Sequence, residues 1–429
     1  MKIIADLQVH SRFSRATSNE INLSNLEKYA RIKGLSLLGT GDITHPLWLK
    51  ELKNELIEDD SGILTTKSGF NFVLQGEVSN IYTQDGKQRR VHTVILAKSF
   101  DVAEQIQDAL KKKGRIDYDG RPIFGFSCCE LVEMLKRIDE NIEIIPAHAW
   151  TPWFSLFGSM SGFDSVEDCF KEQTKHIYAI ETGLSSNPEM NWRLSQLDKY
   201  TLISNSDAHS FWPWRLGREA NVFDINLTYE SLINAIRKKK GFLYTLEVDP
   251  NYGKYHLDGH RACDICMEPK DSLKNKNICP KCKRSLTIGV LHRMEQLADR
   301  EEGFIPKDAI EFKSLIPLSE ILSVLLNSSP ASKKVWQEYY KLVNNFGSEL
   351  NVLLEAEKES IAKVCDEKIA NAIVAVREGK VKIKAGYDGV YGQPVFEEDK
   401  NYKVANEKIK SNKKSIAQKG LGDFFIQKF

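Results

Sequence analysis

Short apolar runs punctuate the first part of the chain, near 2–7, 35–39, 72–77, 91–97, 142–147, 177–181 and 200–204. Between them, apolar positions return every third or fourth residue, the spacing of an amphipathic helix. Strands alternating with helices predict an α/β fold built on a parallel sheet. Seven runs suit a barrel, although an open sheet reads much the same. Two helix starts are legible: Ser24-Asn-Leu-Glu27 and Ser127-Cys-Cys-Glu130 both fit a capping box, and Gly34 suits the residue just past the first helix. Residues 160–175 and the Trp-rich loop 211–217 read as excursions from the barrel.

The pattern changes beyond residue 250. Residues 251–290 are rich in Gly, Cys and Lys, with little apolar periodicity. Residues 291–380 return to helical spacing, with Ile361, Val364, Ile369, Ile373 and Val376 on one face. Residues 381–429 open with a turn-rich segment, become lysine-rich and end apolar and aromatic. Four units are expected: a barrel over 1–250, a small module over 251–290, a helical domain over 291–380 and a flexible basic tail over 381–429.

A length of 429 residues agrees with more than one domain. Hydrophobic residues make up 41% and charged residues 28%, as in a soluble globular chain. No stretch approaches the ~20 apolar residues of a membrane span, and the N-terminus enters a strand rather than a signal peptide. A cytoplasmic protein with no membrane partner is expected. The formal net charge is +1 but unevenly spread: residues 1–250 hold 30 basic and 34 acidic side chains, residues 401–429 hold 7 and 2. A nucleic-acid footprint would therefore be local. Lys111–Lys113 with Arg115, Lys238–Lys240 and the tail offer one, and each run also reads as a solvated face.

Candidate chemistry sits on or at the ends of the apolar runs. His10 closes the first run, and Asp42 and His45 close Leu-Leu-Gly-Thr-Gly-Asp-Ile-Thr-His. Glu77 ends Val-Leu-Gln-Gly-Glu, and His92 lies within Arg-Arg-Val-His-Thr-Val-Ile-Leu. His148 follows Ile-Ile-Pro-Ala, and Asp207 and His209 end Leu-Ile-Ser-Asn-Ser-Asp-Ala-His. Parallel barrel strands open their C-termini on one face, so distant ligands can converge there on one metal cluster. Bridging carboxylates with neutral imidazoles suit metal-assisted hydrolysis at a phosphate. Taken singly, His45 or His92 reads equally as a satisfied polar group. His176, His256, His260 and His292 lack such context and read as ordinary.

Asp6-Leu-Gln-Val-His10, Thr-Gly-Asp42, His148 after Ile-Ile-Pro-Ala, and Ser-Asp207-Ala-His209 resemble the four motifs of the PHP (polymerase and histidinol phosphatase) phosphoesterases. The resemblance implies a distorted (β/α)7 barrel with two or three divalent ions (Zn, Mg or Mn), and catalysis centred on Asp207, Glu77 and His148. It implies one ion on His10, Glu77 and Asp207, a second on Glu77, His92 and His148, and a third on His209 with Asp42 or His45. Two departures are visible. Gln8 replaces the first His of the family's Asp-x-His-x-His, leaving a Gln8 oxygen to reach the first ion. Two residues separate Asp42 from His45 where the family has Asp and His adjacent.

Cys263-x2-Cys266-x12-Cys279-x2-Cys282 predicts two knuckles around one tetrahedral structural zinc, closed to catalysis. Cys128, Cys129, Cys169 and Cys365 read as small buried hydrophobes. At the C-terminus, Gln418-Lys-Gly-Leu421-Gly-Asp-Phe424-Phe425 puts Leu421, Phe424 and Phe425 on one apolar face of a helical turn, with Gln418 at its edge. It resembles the box by which replication and repair proteins plug into the sliding clamp PCNA. A segment packing on its own core is the other reading.

The order of these modules, with Gly-Thr-Gly-Asp-Ile-Thr-His-Pro (39–46), the cysteine ribbon and Ala-Gly-Tyr-Asp-Gly-Val-Tyr-Gly (385–392), resembles the endonuclease Q family over nearly the full length. That resemblance implies a repair endonuclease of an archaeal-type setting that nicks damaged DNA 5′ to hypoxanthine, uracil, xanthine and abasic sites. Drawing a damaged base from the stack calls for an aromatic pocket. Trp150, Trp153, Phe154, Trp212 and Trp214 flank His148 and His209, Arg215 and Arg218 suit phosphates, and Tyr387 and Tyr391 suit contact with DNA. Packing on the barrel top is the other reading of the tryptophans. Two rival functions use less of the chain: a PHP small-molecule phosphatase, which needs no clamp tether, and a non-catalytic clamp-bound DNA-binding adaptor, to which Gln8 lends weight.

Overall fold

The structure, a computed structural model, describes residues 1–396; Gln418, Leu421, Phe424 and Phe425 of the expected clamp box lie outside the described residues. The first 250 residues carry strands β1 (Lys2–Asp6), β2 (Leu37–Gly39), β3 (Leu64–Thr65), β4 (Asn71–Gln84), β5 (Lys87–Ala97), β6 (Ile123–Phe124), β7 (Glu143–Pro146), β8 (Ala179–Glu181), β9 (Thr201–Ile203), β10 (Ala220–Asp224) and β11 (Phe242–Glu247). The seven apolar runs coincide with β1, β2, β4, β5, β7, β8 and β9.

The sheet is mixed rather than parallel throughout. β1 is parallel to β2 and β2 to β4, but β5 runs antiparallel between β4 and β7, and β10 antiparallel beside β1. The reason lies in the connections. Asp85 (φ 53°) and Gly86 (φ 72°) join β4 to β5 in a two-residue turn, which can only return an antiparallel neighbour. β8 and β9 form a separate parallel pair. Their ends are tied to the main sheet where the Ala149 N–H donates to the Glu181 carbonyl (2.9 Å) and the His10 N–H to the Ala208 carbonyl (2.9 Å). The whole curls round a shared interior: Ile3, Leu37, Val73, Val94, Ile145, Ala179, Ile203 and Phe223, from eight strands, fall in one buried cluster.

Helix Leu23–Lys33 starts earlier than its sequence suggested. Asn22, not Ser24, caps it by accepting from the Asn25 N–H, because Leu23 already belongs to the buried face. Gly34 ends it at φ 101°, and Ser127 caps helix Cys128–Ile138 as expected.

After β11, the chain forms the hairpin of β12 (Asp258–His260) and β13 (Ile265–Met267) and then returns to the main sheet as β14 (Glu311–Ser314), parallel to β11. The remaining helices, from Leu318–Leu325 to Glu367–Arg377, share the large core with the first helix. Segment 385–392 docks on the hairpin: Asp388 accepts from the Arg261 N–H (2.6 Å) and the Thr287 hydroxyl (2.7 Å). Among the described residues no helix is long and apolar enough to cross a membrane.

Candidate active site

The curl brings the residues that follow β1, β2, β7 and β9 to one rim. His10 follows β1, Asp42 and His45 follow β2, His148 follows β7, and Asp207 and His209 follow β9. Glu77 and His92 arrive differently, from the middle of the long β4–β5 hairpin, whose arms run on past this rim. In its register Ser79 faces His92 and Glu77 faces Val94, so Glu77 and His92 are diagonal neighbours within reach of each other. Asp42 (φ 43°), His148 (φ 30°) and Asp207 (φ 48°) all lie in the left-handed region. Strain of this kind in non-glycine residues is often stored at functional sites.

Glu77 is the hub. Its Oε1 lies 2.7 Å from His92 Nδ1 and 3.7 Å from His148 Nε2, and its Oε2 lies 3.0 Å from His10 Nε2. His10 Nε2 is also 3.0 Å from Asp207 Oδ1, and the His10 and His209 rings are 4.6 Å apart. Two three-residue donor sets result: His10, Asp207 and His209, and Glu77, His92 and His148. Gln8 donates from Nε2 to Glu77 Oε2 (3.0 Å), while its own Oε1 is buried with no hydrogen-bond partner among the described residues.

The electrostatics fit cations at both sets. Burial disfavours the Glu77 carboxylate, yet Arg121 and His92 hold its pKa well below the usual range. Burial likewise opposes ionised Asp207, and His209 and His10 outweigh it. Burial pushes the His92 imidazole down to about 4, leaving a neutral ring with a lone pair. For His10, burial is outweighed by Asp42, Asp207 and Glu77, which raise its pKa well above normal. An imidazolium is thus stabilised between carboxylates, where a divalent ion can replace its proton.

Asp42 departs from the expectation of a ligand. Its Oδ1 takes the His10 Nδ1 bond (2.9 Å), and its Oδ2 accepts from the Ser11 N–H (2.7 Å), the Ser11 hydroxyl (2.6 Å) and the Ser14 hydroxyl (2.8 Å). Fully buried and saturated, it orients His10 from behind. His45 also stays outside both sets; its ring stacks on Phe13 at 4.2 Å, and burial lowers its pKa. The extra residues between Asp42 and His45 lead into helix Pro46–Glu55, with His45 at its N-cap.

The aromatic residues divide. Phe154 (φ 61°) stands 4.8 Å from the His92 ring with the Arg90 guanidinium over it at 5.6 Å, and Trp153 packs edge-on to Tyr255. Trp150 is buried, bonded to Asn191 (2.8 Å) and stacked on Phe157. Trp212 and Trp214 stack on each other and against Trp336 of helix Lys333–Phe346, so these two join barrel-side and C-terminal helices instead of opening on the site. Arg218 is spent on the Ser206 carbonyl (3.2 Å), and Arg215 is half-buried. The Tyr387 hydroxyl donates to Asp264 (2.7 Å) within the ribbon, whereas Tyr391 is exposed.

Two residues escaped the sequence reading. Arg121 enters the cluster from the loop before β6, its Nη1 3.6 Å from Glu77 Oε1; only the loop's fold puts it there. In the ribbon, Cys263, Cys279 and Cys282 gather with His260, whose Nδ1 is 3.6 Å from Cys282 Sγ. Cys266 lies outside this set, exposed on β13. Gly259 faces Cys266 across the hairpin, so His260 and Cys266 sit on opposite sides of the two-stranded ribbon.

Residues 317–380 match the family described as the MJ0043 C-terminal domain. The chain is 33% identical over 259 residues to the uncharacterized protein MJ0043 of Methanocaldococcus jannaschii, a match covering 59% of this chain and 32% of that relative's length. It superposes on the crystal structure of the lesion-specific endonuclease PfuEndoQ from Pyrococcus furiosus with a TM-score of 0.84 and 33% identity, covering 93% of this chain and 96% of that one. A structure of endonuclease Q with a 27-mer duplex substrate bearing an abasic lesion at the active site matches equally, with a TM-score of 0.84, 34% identity and coverage of 93% and 97%. Identity above 30% along nearly the whole of both chains, on one shared fold, makes this chain a member of the endonuclease Q family.

Proposed function

We propose that the chain is a metal-dependent DNA endonuclease that hydrolyses the phosphodiester on the 5′ side of deaminated bases (hypoxanthine, uracil, xanthine) and abasic sites. The observation that carries the reading is Glu77, which stands with His92 and His148 in one donor set and lies 3.0 Å from His10 of the other, at the rim of a fold common to lesion-specific endonucleases. In this reading the curled sheet is a distorted PHP barrel. His10, Asp207 and His209 hold one divalent ion, and Glu77, His92 and His148 the other. When bound, such ions lower the pKa of a water and polarise a phosphoryl oxygen. The chain's own residues set the geometry: Asp42 fixes the His10 ring, Gln8 fixes Glu77, and Phe154 packs against the His92 ring.

A polar groove of about 860 Å³ adjoins Phe154; Lys87, Arg89, Arg90 and Trp153 line it together with Asp85, Asp164 and Asp168, and its basic side suits a nucleic-acid strand. His260, Cys263, Cys279 and Cys282 hold the ribbon's zinc. The box at 418–425 docks on PCNA.

The test is a labelled duplex carrying deoxyinosine, deoxyuridine or an abasic site, incubated with Mg2+, Mn2+ or Zn2+, with Asp207→Ala as the control. A nick 5′ to the lesion is expected. Intact duplex under every metal overturns the reading.

A further inference from the structure

The loop that carries Arg121 is pressed onto the metal cluster. The Gly120 N–H donates to the Phe13 carbonyl (3.0 Å), and the Gly120 carbonyl accepts from the Thr44 hydroxyl (2.7 Å). A Cβ at residue 120 would stand 2.2 Å from Asp42 Oδ2, so glycine is needed for the loop to come this close. On its other side the Pro122 carbonyl accepts from the Ser79 N–H (3.0 Å), and the Arg121 N–H from within donates to Asp119 Oδ1 (3.1 Å).

These ties hold the backbone, while the guanidinium is held by charge alone. Its nearest anionic atom, Glu77 Oε1 at 3.6 Å, lies beyond hydrogen-bond range, and no guanidinium N–H bonds to a described residue. The side chain keeps 20% of its surface exposed. Five N–H donors in a planar fork, anchored by charge alone, match the oxygens of a phosphate.

The cluster also lacks a third ion's ligands. His209 is committed with His10 and Asp207, Asp42 is saturated, and His45 stacks on Phe13. Among the described residues only two donor sets form at this rim. We propose that Arg121 is the third cation of the site, beside the two donor sets, gripping the non-bridging oxygens of the scissile phosphate. The proposal rests on the endonuclease reading and deepens it.

Full-length protein, its Arg121→Gln and its Arg121→Lys variants are loaded with Mn2+ and Zn2+, desalted and analysed for metal content. Two ions in the cluster and one in the ribbon are expected in all three. Inorganic phosphate binding to the loaded proteins is then measured by calorimetry, a reading that does not need DNA cleavage. Arg121→Gln should bind phosphate about tenfold or more weakly, the loss of charged hydrogen bonds, and Arg121→Lys should recover part of it. On the abasic duplex Arg121→Gln should nick about 10²–10³-fold more slowly at saturating substrate. A third cluster ion in the unaltered protein, loss of metal from both variants, or unchanged phosphate affinity each overturns the proposal. Phosphate results as expected, with no nicking by the unaltered protein, would instead sink the endonuclease reading and leave the anion site standing.

Discussion

At Asp42 both carboxylate oxygens are spent on protein donors, so its effect on metal binding runs entirely through His10. Asp42→Asn keeps the shape but removes the charge that selects the His10 tautomer. It should cost about 10–100-fold in metal affinity or activity, read by titrating Mn2+ against nicking and by metal content at limiting supply. A variant with unchanged affinity would show that Asp42 is only packing. His260 and Cys266 give a second contrast. His260→Ala should hold one metal ion fewer per chain than the unaltered protein after desalting, whereas Cys266→Ser should hold as many; the reverse result restores the four-cysteine site. At this scale the donors were legible because each sits at or near an apolar run. Arg121 and His260 were not, since a lone Arg in a loop and a His two residues ahead of a Cys carry no periodicity to mark them.

Between elements, one buried ion pair carries much of the burden. Lys33, at the end of helix Leu23–Lys33, pairs with Glu349 of helix Glu349–Leu354 at 2.8 Å and also donates to the Pro213 carbonyl (2.9 Å). Glu349 further accepts from the Leu318 N–H (3.0 Å) and the Tyr339 hydroxyl (2.7 Å). Lys33→Met leaves that carboxylate buried without its cation and should destabilise by about 3–5 kcal/mol in urea unfolding. Lys33→Met combined with Glu349→Leu should cost less than the sum of the two single changes. If the two changes are simply additive, the pair is not the tie the structure suggests. The strands themselves were plain from their apolar runs, but direction was not. Asp85-Gly86 was the available signal that β4 and β5 form a hairpin, and it implies the mixed sheet that strand counting alone did not.

At the scale of the whole molecule, the donor sets and the ribbon both lie within residues 1–396. Deleting residues 397–429 should leave nicking of the abasic duplex within about twofold in the absence of a clamp, since every cluster residue lies earlier in the chain. The proposed binding to PCNA, followed by pull-down and by clamp-stimulated nicking, should vanish. Clamp binding that survives the deletion would place the contact elsewhere.

By itself the sequence determined the local elements, the donor residues and the family resemblance, because apolar periodicity, turn chemistry and motif spacing are encoded within a few residues. Only tertiary structure decided which donors meet. The curl of the sheet puts Glu77 between His10 and His92, a tight glycine lets Arg121 in, and the ribbon gathers His260 with Cys263, Cys279 and Cys282. Those outcomes depend on contacts between segments far apart in the chain, and no local pattern records them.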